Sequence, residues 1–444
     1  MKYSGVEWIG EIPDNWNIKA IRECLFERNE KNDKLQENTV LSLSAKDGVT
    51  LYDGENHSGN KPREDLSGYK IVKENDIVAN SMNILSGSVG LSGYNGVVSP
   101  VYYIYHIRNS KDNIRYFNYI FQCNEFQKNL RRLGKGILIR ETEEGKLNTI
   151  RTKVPSYQLS IEKIPYPNES AQKNIVKLLD KKTAEIDSLI EIENQQIEKL
   201  KEYKQAVITE AITRGLDKNV PLKDSGVDWI GEIPAKWKCI PNKFLFQNGN
   251  GSLRIGPFGS SLRGKTLENG PYKIYNQAHL VSNDFSLNRH FVSNETYEEL
   301  KSYEVLPDDI LFSMMGTIGK CRIMPHGFQK GIMDSHLLKA RLNELILPKY
   351  YLYVFDKDMS SCVISQLRYL SNGSIMDGLN STIVKKVYIP LPPIDEQKEI
   401  ISFLDEKCSE IDKLISIKQK KIENLNEYKK SLIYEYVTGK KEAR

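Results

Sequence analysis

Two short stretches of this 444-residue sequence have the residue types and spacing of catalytic loops. The segment GSSLRGKT, residues 259–266, fits the phosphate-loop pattern G-x-x-x-x-G-K-[ST] letter for letter, with Lys265 to reach the outer phosphates and Thr266 to hold a magnesium ion. That chemistry needs a buried strand before the loop and a helix that opens on it, whose amides and dipole hold the phosphates. Here RIGPF precedes the loop and Asn269-Gly270-Pro271 follows soon after, so no helix can run on and a turn-rich basic loop is the better reading. ETEEGK, residues 141–146, sets Glu144 and Lys146 at the spacing of half a nuclease site, but charged runs of this kind are usually solvated turns. His57, His106, His279, His290, His326 and His336 form no H-x-x-x-H pair, the six Cys form no C-x-x-C pair, and no G-x-S-x-G elbow occurs. Metal and acyl chemistry and a disulfide framework are therefore not indicated.

The remaining chemistry is that of binding. Lys128, Arg131, Arg132, Lys135, Arg140, Lys146, Arg151 and Lys153 stand against only Glu141, Glu143 and Glu144, a local excess equal to the +5 of the whole chain. Later in the chain Arg254, Arg263, Lys265 and Lys273 form a second cluster, with Lys320, Arg322 and Arg368 beyond it. Lys and Arg mainly neutralise phosphate, whereas amide, hydroxyl and aromatic groups reach base edges. The candidate DNA-binding residues are accordingly Arg131, Arg132, Lys135, Arg140, Arg254, Ser260, Arg263, Lys265, Tyr275, Asn276, Arg322, Arg368, Asn372 and Ser374. A P-loop NTPase or nuclease-type enzyme acting on DNA is the alternative.

The elements that must position these residues are written twice. SGVEWIGEIP at residues 4–13 returns as SGVDWIGEIP at 225–234, and IPYPNESAQKNIVKLLDKKTAEIDSLI from Ile164 returns as IPLPPIDEQKEIISFLDEKCSEIDKLI from Ile389. Roughly half of the positions that follow Ile164 and Ile389 are identical up to Thr213 and Thr438, which marks an internal duplication. Between the matching ends the sequences diverge, apart from NDIVANSMNILSGSVG and DDILFSMMGTIGK. A frame that repeats around fillings that differ suits one kind of partner met twice and two different things read.

In the frame, Ile175, Ile186, Ile197 and Ile208 recur at eleven-residue intervals, as do Ile400, Ile411, Ile422 and Ile433. An eleven-residue repeat is about 3.67 residues per turn, so each series predicts one nearly straight apolar stripe on a long helix, roughly 65 Å at ~1.5 Å per residue. These eight isoleucines are the expected helix–helix packing positions, and the second helix can return antiparallel beside the first. The predicted fold class is α/β: two globular mixed α/β segments separated and joined by two long antiparallel, coiled-coil-like helices. The layout is 1–166 and 216–391 for the globular domains, with 167–215 and 392–444 for the helical repeats. Strands are expected at 97–107, 76–79 and 309–313, and helices near 115–133 and 348–367.

Two unlike domains, each opened by a WIGEIP phrase and closed by a proline-bounded helix with Gln172 or Gln397 near its start, resemble the specificity subunit of type I restriction-modification systems. Residues 225–237 (SGVDWIGEIPAKW), 256–261 (GPFGSS), 316–319 (GTIG) and 389–397 (IPLPPIDEQ) carry the resemblance, which covers essentially the whole chain. The departure is Ala171 where the second copy has Glu396. Two domains held apart by the helices suit half-sites about 10 bp apart centre to centre, and the resemblance implies two target recognition domains reading a bipartite, asymmetric site in double-stranded DNA. It implies a non-catalytic chain that binds no cofactor itself. Two methyltransferase subunits would dock on the helices and use S-adenosylmethionine, and restriction subunits would add ATP- and Mg-dependent translocation and cleavage. With 27% charged residues and no run of eighteen apolar ones, the chain is expected to be cytoplasmic, with no membrane partner.

Overall fold

A computed structural model describes all residues except 55–60, 135–152, 250, 316–318, 357, 361, 371–378 and 444. The two apolar stripes lie on the long helices Glu169–Arg214 and Ile394–Val437, 46 and 44 residues. Asn168 opens the first by accepting the Ala171 N–H at 2.9 Å. Gly215 and Gly439, both at φ +73°, close the two helices in the left-handed conformation that favours glycine.

The chain divides into two units, residues 1–193 with 419–444 and residues 194–418, each holding one globular segment and part of both long helices. In the first unit Asp187 pairs with Lys429 and Glu193 with Lys421, both at 2.6 Å, so residue numbers rise along one helix as they fall along the other: the segments are antiparallel. In the second unit Lys204 pairs with Asp412 at 2.7 Å, and Lys418 donates to Gln196. Asp187 and Lys204 are the repeat counterparts of Asp412 and Lys429, so the same ion pair forms in each unit with the copies exchanged. Ile175, Ile186, Ile197, Ile208, Ile400, Ile411 and Ile433 are buried, and Ile422 is half-buried. Burying one such side chain is worth ~1.5–3 kcal/mol, against at most ~1 for an exposed ion pair. The isoleucines hold the helices together and the ion pairs set their register.

The first unit's main sheet is antiparallel, in the order Leu25–Glu27, Tyr102–Ile107, Ile77–Asn80, Val89–Leu91. The second unit contains the corresponding sheet, in the order Leu253–Ile255, Leu337–Ala340, Ile310–Ser313, Cys321–Ile323. A buried aspartate precedes the third strand in both. Asp76 accepts from the Lys73 N–H and pairs with Arg28 at 2.9 Å, and Asp309 accepts from the Leu306 N–H and pairs with Arg341 at 2.7 Å. The second unit adds a mixed four-stranded sheet, Phe291–Val292, Tyr272–Tyr275, Gly331–Met333 and Glu304–Val305. In its place the first has two antiparallel pairs, the hairpin Leu41–Ser44 with Gly48–Leu51 and the non-consecutive strands Lys70–Val72 and Gly96–Val98.

Some expected elements are broken. The stretch 97–107 is two strands in different sheets, Gly96–Val98 and Tyr102–Ile107, separated at Pro100, which has no N–H for a ladder. Extended backbone at Cys123 and at Asp356 divides the expected helices into Ile114–Gln122 with Asn124–Leu130 and Pro348–Phe355 with Cys362–Leu370.

Each repeated phrase docks its globular segment on helix ends. In the first unit the Tyr116 hydroxyl donates to Pro165 O at 3.2 Å and Val437 O at 3.0 Å. In the second, Tyr350 does the same to Pro390 O at 3.1 Å and Ile212 O at 3.3 Å. Gln172 accepts from the Asn113 N–H and Gln397 from the Leu347 N–H, both at 2.8 Å, the residues that cap the next helix of each domain. The two glutamines therefore dock alike, despite Ala171 standing where Glu396 receives the Trp237 indole N–H at 2.6 Å. A Cβ on Gly439 would lie 2.4 Å from Pro13, and one on Gly215 would lie 3.1 Å from Trp237. The WIGEIP phrase thus closes over the C-terminus of a long helix in both units.

Candidate nucleic-acid interface

The fourteen candidate residues fall into distinct environments. Arg131 is exposed on a short turn of helix, and Arg263 is exposed just after the four-residue helix Gly259–Leu262; among the described residues neither guanidinium has a carboxylate partner. Arg132, although exposed, is already paired with the buried Glu162, and Lys265 with Glu299 at 2.6 Å. Arg254 lies on a strand with its guanidinium 5.3 Å from the Tyr303 ring centroid, and Arg368 is exposed near the end of Cys362–Leu370. Lys135, Arg140, Asn372 and Ser374 lie outside the described residues.

Two expectations are corrected by burial. Tyr275 is fully buried, its hydroxyl donating to Gln329 O, because its strand lies between two others with both faces covered. Its neighbour Lys273 is buried as well, donating to Phe285 O at 2.7 Å. Arg322 has a side chain only 14% exposed and spends its charge on the buried Asp356 at 2.6 Å, joining a strand to the end of Pro348–Phe355. These are structural groups of the second domain.

Ser260, Arg263 and Asn276 come together at one open cleft of about 590 Å³, shared with Thr266, His290, Asp334 and Ser335. Asn276 is fixed by capping Gln277–Ser282, accepting from the Ala278 N–H at 3.1 Å. Asp334 accepts from the His336 N–H at 3.0 Å, and burial raises its carboxyl above the usual range. Gly256 admits the loop: a Cβ there would fall 1.7 Å from Asp334 O. Hydroxyls, an amide, an imidazole, one carboxylate and one unpaired guanidinium can donate and accept hydrogen bonds; the Ser335 hydroxyl lies 3.4 Å from His336 Nδ1, but Asp334 holds that same nitrogen at 3.2 Å, so when it carries the proton donated to Asp334 it cannot take one from Ser335. No group of three His, Cys, Asp or Glu that could hold a metal occurs among the described residues. The phosphate-loop match fails on geometry: its short helix Gly259–Leu262 lies inside the motif, none opens after Thr266, and Lys265 is paired.

His290, Asp334 and Ser335 were not among the sequence candidates. The one signal for Asp334 and Ser335 is the polar run DSH at 334–336, a turn between two buried strands, Gly331–Met333 and Leu337–Ala340; His290 has none.

A second surface lies on the helices. In the first unit Leu189, Ile192 and Tyr428 are exposed on the long-helix segments, and in the second unit so are their repeat counterparts Leu414, Ile417 and Tyr203, all between 44% and 65%. A spacing of three residues puts Leu189 with Ile192, and Leu414 with Ile417, on one helix face beside the buried stripe. No helix of the described residues is long and apolar enough to cross a membrane.

The type I restriction modification DNA specificity domain matches residues 13–202 and 257–427. A Methanocaldococcus jannaschii protein provisionally named the MjaX specificity subunit of a type I restriction enzyme is 25% identical over 97% of this chain and 95% of its own length. The MjaVIII specificity subunit from the same organism is 27% identical over 63% of this chain and 62% of its own. A chain in a solved structure of the assembly and conformational transition of a type I restriction-modification system superposes with a TM-score of 0.66 at 12% identity, covering 96% of this chain and 98% of that one. With two matched regions spanning most of its length and the duplicated frame between unlike fillings, this chain belongs to the type I restriction-modification DNA specificity family.

Proposed function

We propose that this chain is the DNA-reading subunit of a type I restriction-modification complex, recognising a bipartite, asymmetric sequence in double-stranded DNA through its two globular domains. The observation that carries this reading is one frame, with the same Tyr, Gln and ion-pair contacts in both units, around fillings whose exposed loops differ. A frame repeated with that fidelity serves identical partners, and divergent fillings serve two different half-sites. Arg131 in the first domain and Arg263 in the second are positioning contacts to phosphate, while Ser260, Asn276, Asp334 and Ser335 supply base-edge hydrogen bonds, each good bidentate contact worth ~1–3 kcal/mol of discrimination. The chain contributes no catalytic group of its own.

The exposed apolar trio in each unit supports docking of two methyltransferase subunits, one per unit, because the same three side-chain types are offered twice. S-adenosylmethionine, ATP and Mg then belong to partner subunits, restriction subunits among them. The functional layout follows the globular domains at 1–166 and 216–391 and the helical repeats at 167–215 and 392–444. Mapping methylated adenines in a genome carrying this chain with a methyltransferase partner tests the reading. A two-part sequence with a fixed unread spacer is expected; a continuous or palindromic site would overturn it.

A further inference from the structure

Phe258 is the most exposed large apolar side chain among the described residues, at 84%. Its loop is anchored on both sides. Gly256 donates to Leu337 O at 2.8 Å and has no room for a Cβ, Pro257 is buried, Ser261 donates back to Phe258 O at 2.8 Å, and Leu262 is in the core. These contacts fix the backbone from which the ring projects. Met315, 58% exposed, is held at the 334–336 turn: Met314 N donates to His336 O at 3.1 Å and Gln277 Nε2 to Met315 O at 2.6 Å. Ser260 and Arg263, two and five residues further on, line the open cleft described above, so the projecting ring stands on the same short loop as a phosphate-seeking cation that has no carboxylate partner among the described residues.

We infer that Phe258 is an apolar wedge that inserts at one base step of the half-site read by the second domain, with Arg263 holding the adjacent phosphate. Phe and Met are side chains that enter and part a base step, and the cost of parting depends on sequence, least at pyrimidine–purine steps. Such a wedge would give specificity at a step where no hydrogen bond is made. This inference rests on the DNA-reading function proposed above.

The test uses the full chain assembled with its methyltransferase partners, on target duplexes carrying single 2-aminopurines along the half-site that changes when residues 238–388 are exchanged. Fluorescence should rise at one step with the native protein. Phe258→Ala should abolish that rise and weaken specific binding roughly tenfold, while Phe258→Trp keeps both. The salt dependence should stay unchanged, since no charge is lost. An unaltered fluorescence pattern and affinity in Phe258→Ala, or an equal loss on every duplex, would overturn the wedge while leaving DNA reading intact. Failure of the native complex to prefer any bipartite sequence would remove both.

Discussion

The division of basic side chains into paired and unpaired makes a quantitative prediction about salt. Each phosphate neutralised by Lys or Arg contributes about 0.9 to the slope of log K against log salt concentration. Arg131 and Arg263 are exposed without a carboxylate partner among the described residues, so each is available for a full contact. Arg132 and Lys265 are held by Glu162 and Glu299, and the release of one charge offsets most of what the other gains. Arg131→Ala or Arg263→Ala should therefore lower the slope by roughly 0.9, so that affinity falls about threefold less than for the native protein between roughly 50 and 200 mM salt. Arg132→Ala and Lys265→Ala should lower it by much less than half that amount. Fluorescence anisotropy titrations of a labelled duplex across this range measure all four slopes. Equal slopes for the paired and unpaired substitutions, or an altered sequence preference in Arg131→Ala, would refute the assignment.

Two further predictions concern the scaffold. Tyr350→Phe removes a buried hydroxyl that serves both Ile212 O and Pro390 O, and should destabilise the second unit by ~1–3 kcal/mol in urea unfolding, with Tyr116→Phe doing the same in the first. An unchanged urea midpoint would show that these carbonyls find other donors. Burial lowers the Lys339 ammonium to about 8, beneath the unfolded value near 10.4, while its Nζ donates to Glu304 O. Between these values the unfolded chain holds a proton the folded chain lacks, so stability should rise with pH from about 8 upward, by no more than ~1.4 kcal/mol per unit from this group. Lys339→Met should remove that rise, which urea midpoints at pH 8 and pH 9.5 would detect; equal slopes in both proteins would contradict it.

How much of this was legible in the sequence follows from which interactions are local. The eleven-residue isoleucine series sets a helix face by itself, so the long helices and most of their buried positions could be read directly. The duplication was legible because Gln172, Gln397 and the WIGEIP phrases occupy matched docking contacts that restrict the residue type. Of the sheet common to both fillings only the third strand was legible, expected at 76–79 and 309–313 and found at Ile77–Asn80 and Ile310–Ser313 from the matched NDIVANS and DDILFS stretches; the other strands were not, because antiparallel pairing asks only for apolar alternation. Tyr275 and Arg322 look like surface recognition groups in sequence. Their burial comes from partners far along the chain, a parallel strand at Gly331–Met333 and Asp356. The cleft escaped for the same reason: Asp334 and Ser335 meet Ser260 only through the fold.

Whether each globular domain reads its own half of a divided sequence is tested most directly by exchanging residues 238–388 for the same region of a relative with a different target, and then sequencing the methylated adenines. One half of the methylated sequence should change, with the other half and the spacer retained. A site that stays whole, or one replaced throughout, would contradict the account.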